Sequence, residues 1–428
     1  MLNLYLFFVA AISFAQHSEH GTAAASKKKY SSHVMRSEDC SDMMVWDKTS
    51  YSCIALPMDN MPTSMWMLHG NAFLVQSVQP DPRGENKLSL PNMFMASGGR
   101  SYGNNYFDFS LMLTAERWTF PKEGYPELLQ IGERDENDQP YIDAQHPHSS
   151  PIMGLTLSDT MRLGDGKDYI RFFFAPRGQA TEGPVAFMHR ATGMVNPDAP
   201  LGHHIGQDVS HITSTVLGLS SSIGKLQFEV SAFNGTEPEP TKSDLPLGPL
   251  NSYATRIAYD LSKQTYMMIS AAEVKDPEPH DSSLEKIWRY SGSVYNRNIL
   301  DSGWMLHNTF IYGLVNNYDH ISALRSVLYE FWFHQMEQPS QYWGRVEGVE
   351  RTANQFAILG GFNLDEPHWV YALTVGYTYK MKLGDNLEAG IGGSITKNLL
   401  PTEFRASYDG EPLSGKLFIQ ISGMKMGH

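Results

Sequence analysis

Residues 369–379 read WVYALTVGYTY, and their side chains alternate in size and polarity. The odd positions carry large apolar or aromatic side chains, and the even positions carry mostly small or polar ones. Because successive residues of a β-strand point to opposite faces, one face of this segment is apolar with aromatic rings at both ends. This pattern is typical of a strand in a transmembrane β-barrel, whose lipid-facing surface ends in aromatic girdles.

The same two-residue period recurs along most of the chain, for example over 226–231, 253–259 and 387–395. It predicts an all-β fold, a transmembrane antiparallel β-barrel of about sixteen strands with long extracellular loops. The predicted strands are 67–78, 90–97, 105–118, 151–163, 168–176, 208–222, 225–234, 251–261, 264–273, 286–297, 303–315, 322–334, 341–350, 368–380, 386–396 and 415–422.

The lengths of the links between these strands alternate as well. Every second link is short, as in 164–167 and 223–224, whereas most links between them are long, as in 119–150 and 177–207; the exception is 316–321. Bacterial barrels have short periplasmic turns and long extracellular loops. A soluble all-β protein, which is the alternative, has no reason to sort its loops in this way.

Composition excludes two other classes of protein. The mean hydropathy of the 428 residues is -0.33, and no apolar run after residue 15 reaches the roughly 20 residues that a membrane-spanning helix needs. The formal net charge of -13 argues against nucleic-acid binding and is compatible with a surface that concentrates cations. We therefore expect outer-membrane lipid and the barrel-assembly machinery as partners, with no nucleic acid.

The N-terminal part predicts export and a separate arm. Residues 1–15 read MLNLYLFFVAAISFA, which predicts a signal peptide for the general secretory route, although no Lys or Arg precedes the apolar run. A buried N-terminal helix or strand is the alternative. We expect a Met/His-containing periplasmic arm over 16–65 and a barrel in the outer membrane of a Gram-negative bacterium over 66–428. Cys40 and Cys53 predict a local disulfide in an oxidising compartment, with a thiolate metal site as the lesser alternative.

The arm is a candidate metal-binding segment. Thioether and imidazole groups suit Cu(I) and Ag(I), and imidazole also binds Cu(II) and Zn(II). The alternative is an oxidisable tether without a function. The candidate ligands in the arm and at the start of the first strand are Met43, Met44, Met58, Met61, Met65 and His69.

Two long loops carry a second set of candidate ligands. By the alternation of the links, 119–150 and 177–207 lie at the same rim or fold together into the barrel mouth. Three neutral imidazoles with an open position make a binding or catalytic metal site. The alternative is that these residues hold the loops down as a plug. The set comprises His146, His148, Met188, His189, His203, His204, Asp208 and His211.

Charged residues on the small or polar strand faces are expected to line the lumen, either along a conduction path or in internal salt bridges. They are Asp108, Glu229, Arg256, Arg289, Arg345 and Glu388. An outer-membrane lipid hydrolase with a Ser–His pair near His211 is a further alternative, but the chain has no GxSxG motif. We therefore predict no enzyme and no catalytic residue.

Several motifs together resemble a family of functionally uncharacterised bacterial outer-membrane barrels that commonly have Met/His-rich N-termini and are associated with copper and silver handling. The resemblance covers about 69–300. It implies the barrel fold and suggests a metal context. The motifs are HGNAFL at 69–74, GYPELLQ at 124–130, QHPH at 145–148, AFMHR at 186–190, APLGHH at 199–204, DVSHIT at 208–213, FNGTEP at 233–238, NSY at 251–253 and YNR at 295–297.

Taken together, residues and resemblance predict an outer-membrane barrel that binds or passes a soft metal ion, with copper the first candidate and silver or zinc as further ligands. No cofactor is required for this function. The alternatives are a general or selective porin for small polar solutes and, third, a structural or adhesive surface barrel.

Overall fold

The computed structural model describes residues 40, 44–57, 63–135, 137, 139–207, 212–238, 242–243, 246–278, 284–318, 321–336 and 338–427. The predicted signal peptide and the candidate ligands Met43, Met58, Met61, Asp208 and His211 lie outside this part of the chain. Among the residues described, no helix is long and apolar enough to cross a membrane.

Sixteen antiparallel strands form a closed barrel. The first and last of these strands pair with each other, from Gly415 opposite Val78 to Gly427 opposite Trp66, so the sheet has no free edge. The strands are β3 (Ser64–Val78), β5 (Asn92–Tyr102), β6 (Asn105–Leu113), β9 (Ile152–Leu163), β10 (Asp168–Gly178), β11 (Thr213–Ile223), β12 (Leu226–Phe233), β13 (Ser252–Asp260), β14 (Thr265–Lys275), β15 (Lys286–Ile299), β16 (Trp304–Tyr318), β17 (Ile321–Gln335), β18 (Ser340–Arg351), β19 (His368–Lys382), β20 (Leu387–Leu399) and β21 (Leu413–Gly427).

Five further strands lie outside this ladder or beside it. A hairpin of β1 (Met44–Asp47) and β2 (Ser52–Ala55) precedes the barrel, and a second hairpin of β7 (Tyr125–Arg134) and β8 (Pro140–Gln145) lies between β6 and β9. The two-residue β4 (Leu88–Ser89) pairs with β3, which also pairs directly with β5. Single helical turns occur at Glu116–Thr119, His203–Gln207, Thr402–Arg405 and Ala406–Tyr408.

The two faces of the barrel wall follow the alternation in the sequence. On β19, the odd-numbered Leu373 and Val375 are 41% and 62% exposed, whereas the even-numbered Thr374 and Thr378 are buried. The same holds on β12, where Phe228 points outwards and Glu229 points inwards. A closed ladder satisfies every strand's backbone groups internally, which hydrocarbon requires. The predicted barrel class and strand number are confirmed.

The barrel has two different rims. The links 103–104, 164–167, 224–225, 261–264, 300–303, 336–339 and 383–386 contain two to four residues each and form the short-turn rim, where β3 begins and β21 ends. Most links at the opposite, long-loop rim are much longer, including 114–151, 179–212 and 234–251. Short turns lie on the periplasmic side in bacterial barrels, so the chain enters β3 from that side.

The lumen is filled by polypeptide from the long-loop rim. The described residues of segment 179–212, which are 179–207 and 212, and the hairpin β7–β8 fold inwards, and an apolar cluster joins Leu129 and Leu201 of these segments to Leu324 of the wall. This filling explains why the inner face of the predicted strand 322–334 carries a large apolar ring. Trp332 is buried in a cluster with Ala191, Met194 and Val195 of the segment, so it meets apolar loop residues instead of water.

The described part of the arm differs from the expectation for 16–65. Residues 44–57 form the hairpin β1–β2 inside the lumen at the short-turn rim, and Ser64 and Met65 already belong to β3. The reason is that the hairpin offers polar groups to the charged inner wall. Loop 119–150 likewise contains β7 and β8, which alternation alone did not predict.

Candidate functional site

The hairpin β1–β2 closes part of the short-turn mouth. A disulfide joins Cys40 to Cys53. Lys48 Nζ lies 3.1 Å from Asp260 Oδ2, and the Thr49 hydroxyl donates to Glu229 Oε1 at 2.7 Å. The Tyr266 hydroxyl donates to the backbone oxygen of Lys48 at 3.2 Å. The hairpin is thus held to the wall by side-chain contacts, whereas its own strands pair only with each other.

Between this hairpin, segment 179–212 and the wall lies a chamber of about 390 Å³. We call it the methionine chamber, because ten methionines and two histidines line it. They come from the hairpin, from five neighbouring strands and from the inward segment, and they include five residues predicted as ligands from the sequence. The residues are Met44, Met65, Met67, Met95, Met112, Met153, Met188, Met194, Met424, Met426, His69 and His189.

Four of these side chains form a row across four adjacent strands. Met424 on β21 is directly opposite His69 on β3, His69 is opposite Met95 on β5, and Met95 is opposite Met112 on β6. Directly opposed residues have Cβ atoms about 4.5–5.5 Å apart. The strand register therefore places three thioethers and one imidazole side by side on the lumen face, and we call them the thioether row.

Segment 179–212 presents Met188 and His189 to the same chamber. Burial, with a smaller contribution from His69, lowers the pKa of His189 to about 4, so its imidazole is neutral at physiological pH. A neutral imidazole is the form that binds metal ions. The sequence assigned Met65 and His69 to one site and Met188 and His189 to another, whereas the structure brings all four to one chamber.

The other loop histidines meet at a second place, which we call the histidine–carboxylate cluster. The ring centroids of His146 and His148 are 5.5 Å apart, those of His146 and His204 are 5.4 Å apart, and those of His203 and His204 are 4.7 Å apart. Glu133 and Glu237 join them, because one ligand atom each of Glu133, His204 and Glu237 lies within 4.8 Å of the others.

Hydrogen bonds fix the orientation of two of these rings. Nδ1 of His148 lies 2.6 Å from Glu116 Oε2, and the backbone N–H of Glu133 donates to Nδ1 of His146 at 3.2 Å. Burial, followed by the neighbouring Glu237 carboxylate, raises the pKa of Glu133 well above its ordinary value. Burial lowers the pKa of His204 to about 4. The cluster therefore combines neutral imidazole with two closely spaced carboxyl groups.

The charged residues predicted to line the lumen do lie on its inner face, and each has a partner of opposite charge. These five pairs connect two groups of the wall, or one group of the wall with one of the inward segment. They are Asp108 with Arg171 at 3.1 Å, Glu229 with Arg256 at 2.7 Å, Arg289 with Glu182 at 3.1 Å, Arg345 with Glu330 at 2.9 Å, and Glu388 with Lys380 at 3.5 Å.

The most buried of these networks anchors segment 179–212 to the wall. Glu330 lies between Arg190 of the segment, at 2.7 Å, and Arg345 of the wall. Arg345 also donates to the backbone oxygens of Asp198 and Ala199, and Lys416 Nζ lies 2.5 Å from Asp198 Oδ1. These contacts hold the segment as a plug, which was the alternative to metal binding for the loops.

Sequence reasoning missed part of both clusters. Met95, Met112, Met424 and Met426 were not candidates, nor were Glu133 and Glu237. A signal for the methionines was available, since Met65, Met67 and His69 share one strand face, as do Met424 and Met426. The two glutamates carry no such signal, because they lie in segments whose inward folding has no sequence period.

No family model matches this chain, and no curated protein matches it. Solved structures with a similar fold include an anion-selective porin from Comamonas acidovorans, with 12% identity, a TM-score of 0.48 and coverage of 84% of this chain and 98% of the porin. The OmpF porin of Salmonella typhi, in complex with daunomycin, has 9% identity, a TM-score of 0.49 and coverage of 84% and 97%. The outer-membrane channel DcaP of Acinetobacter baumannii has 11% identity, a TM-score of 0.47 and coverage of 84% and 96%.

These similarities concern the barrel and carry no information on what this chain binds. The closed sheet with an apolar outer face stands on the chain's own strand pairing and exposure. The protein is a closed β-barrel with an apolar outer surface, which is the architecture of barrels that cross an outer membrane.

Proposed function

We propose that this barrel is a narrow channel for small polar solutes, ions included. The observation that carries the proposal is a closed wall of sixteen strands whose outer face is apolar and whose inner face carries charged and polar side chains. Barrels of 16–18 strands are wide enough to enclose an aqueous channel. Of the three readings drawn from the sequence, a porin for small solutes fits this architecture best.

The inward segments make the path narrower than the bare barrel. Beyond the methionine chamber, two cavities of about 40 and 20 Å³ lie near the long-loop rim and along the wall near Lys416. Spaces of this size hold one or a few water molecules. Passage is therefore expected to depend on movements of segment 179–212 and of the hairpins, and large solutes are excluded.

Planar-bilayer recordings of the purified full-length barrel test this proposal. We expect small conductance steps in KCl, since the lumen is restricted, and retention of disaccharide-sized and larger solutes in vesicle-swelling assays. Heat-modifiable migration in gels verifies that the inserted protein is folded. Folded protein that gives no steps and no solute flux would contradict a channel function.

One observation favours a more specific second candidate, a path for soft metal ions. The methionine chamber concentrates ten of the 22 methionines of the chain around one space, although methionine usually fills gaps singly. Thioether and neutral imidazole are the ligands that Cu(I) and Ag(I) prefer. Apolar packing of the same side chains, as between Met112 and Met153, is the competing explanation.

Silver binding separates these two explanations, because Ag(I) needs no reductant. We expect the double variant Met95→Leu/Met112→Leu to bind Ag(I) at least tenfold more weakly than the wild type, since leucine keeps the volume and removes the sulfur. Isothermal titration in detergent measures this. The matched control is Met161→Leu on the lipid face, which should leave the affinity unchanged.

If the double variant and the wild type bound Ag(I) with equal affinity, the methionines of the chamber would serve only as apolar packing.

In cells, deletion of the gene is expected to change copper or silver sensitivity if the ion passes through the barrel. Normal sensitivity together with measurable conductance would leave the general channel as the function.

A further inference from the structure

The histidine–carboxylate cluster lines a second cavity beside the methionine chamber, and segment 179–212 contributes different side chains to each of the two. Glu133 comes from β7 of the inner hairpin, His204 from segment 179–212 and Glu237 from segment 234–251. Three links that are far apart in the sequence therefore each supply one ligand atom to a region less than 5 Å across. A group that binds all three atoms would connect the three segments.

The chemistry of this set differs from that of the thioether row. Carboxylate oxygen and imidazole nitrogen are ligands of borderline divalent cations, and two histidines with one glutamate are a common zinc set. Two buried carboxyl groups this close together repel each other when both are ionised, and a cation between them removes that repulsion. Arg289, whose Nη2 lies 3.1 Å from Glu237 Oε1, neutralises part of this charge from one side.

Space and orientation point the same way. Glu133, His148, His204 and Glu237 line one cavity of about 40 Å³, which is enough for an ion with a water ligand. In this cavity, Nδ1 of His148 lies 2.6 Å from Glu116 Oε2. Histidine ligands of metal ions commonly donate their other N–H to a carboxylate in this way. His146 differs, because its Nδ1 accepts the backbone N–H of Glu133.

We propose that Glu133, His204 and Glu237 bind a divalent cation of the zinc type in this cavity, which leaves room for a water ligand. The ion ties the inner hairpin to segments 179–212 and 234–251 at the long-loop side of the lumen. It acts there as a structural cross-link of the plug. This inference does not depend on conduction or on soft-metal binding, since it concerns different residues and a different ligand class.

Metal binding to the purified full chain tests the proposal. After chelator treatment, the wild type is expected to retain one more equivalent of Zn(II) than Glu133→Gln or His204→Gln, by elemental analysis after gel filtration. Co(II) in place of Zn(II) should give visible absorption of a four-coordinate site in the wild type, and this absorption should be lost in both variants. The arm histidines are present in the wild type and in both variants, so any Zn(II) that they bind cancels when the Zn(II) content per chain is compared.

Protection of the loops gives a second readout. Arg134 and Lys242 are exposed next to the cluster, so trypsin cleavage at these positions should slow at least several-fold when Zn(II) is added to the wild type and should not slow in Glu133→Gln. Glu123→Gln, which changes an exposed carboxylate that lines neither cavity, is the matched control and should behave as the wild type. Glu133→Gln is nearly isosteric, so it remains informative if His204→Gln does not fold.

Equal Zn(II) stoichiometry in the wild type and in folded Glu133→Gln would overturn the proposal, and so would a Co(II) spectrum that survives both substitutions. These outcomes leave the channel proposal untouched, since conductance and Ag(I) affinity are measured independently.

Discussion

Replacing Glu330 by glutamine is expected to free segment 179–212 from the barrel wall and to lower the free energy of unfolding by about 3–5 kcal/mol. Glu330 is 1% exposed and lies between Arg190 and Arg345, whose side chains are 0% and 1% exposed. Removing the carboxylate leaves the buried guanidinium of Arg190 without the Glu330 counter-charge, and leaves Arg345 with the more distant carboxylate of Glu347 at 3.9 Å. Breaking a buried pair costs much more than the intact pair contributes, because the remaining charges stay desolvated.

Two measurements test the expected effect of Glu330→Gln. Urea unfolding in lipid vesicles gives the change in stability, and planar bilayers should show larger or noisier conductance steps because the plug moves. The matched control is Glu123→Gln, which removes an exposed pair with Lys87 and should change stability by less than about 1 kcal/mol. If both variants were equally stable, the inner network would not be what anchors the segment.

Removing residues 40–57 is expected to leave the barrel folded and to raise its conductance several-fold. The hairpin β1–β2 lies in the short-turn mouth, but its strands pair only with each other. Its loss therefore breaks no barrel ladder, while the contacts of Lys48 with Asp260 and of Thr49 with Glu229 disappear. Glu229 keeps its partner Arg256, and the Asp260 carboxylate, which loses Lys48, is already partly exposed to solvent.

Single-channel recording measures this effect, with heat-modifiable migration as the check on folding. A control that removes residues 16–39 and keeps the hairpin should conduct as the full chain does. Unchanged conductance in the 40–57 deletion, with an intact barrel, would place the restriction in segment 179–212 and the inner hairpin instead.

The barrel wall could be predicted from the sequence because contact with lipid requires apolar side chains on one face of each strand. Every second residue of β19 must be apolar, and the two-residue period reports it directly. The predicted end of the second barrel strand was wrong for a local reason. It was placed at residue 97, whereas β5 continues through Gly98 and Gly99 to Tyr102, and the rings of Phe109 and Tyr106 from β6 lie close against these two glycines.

The contents of the lumen were less accessible to prediction. Convergence of the loop histidines followed from the alternation of long and short links, and four of them do meet. Met188 and His189 instead line the methionine chamber. The reason is that segment 179–212 lies inside the lumen, where buried contacts such as that of Arg190 with Glu330 fix its position. Glu133 and Glu237 were not predicted, because the hairpin strand β7 and the link 234–251 show no sequence pattern that reports their inward folding.

The seam between β3 and β21 passes through the thioether row, because Met424 on one side faces His69 on the other. These two residues are brought together only when the last strand meets the first, after all the intervening strands have been placed. An unfinished or opened sheet would hold the two halves of the row apart. Binding of a soft ion would therefore report that the barrel has closed, even in an experiment that does not measure the fold directly.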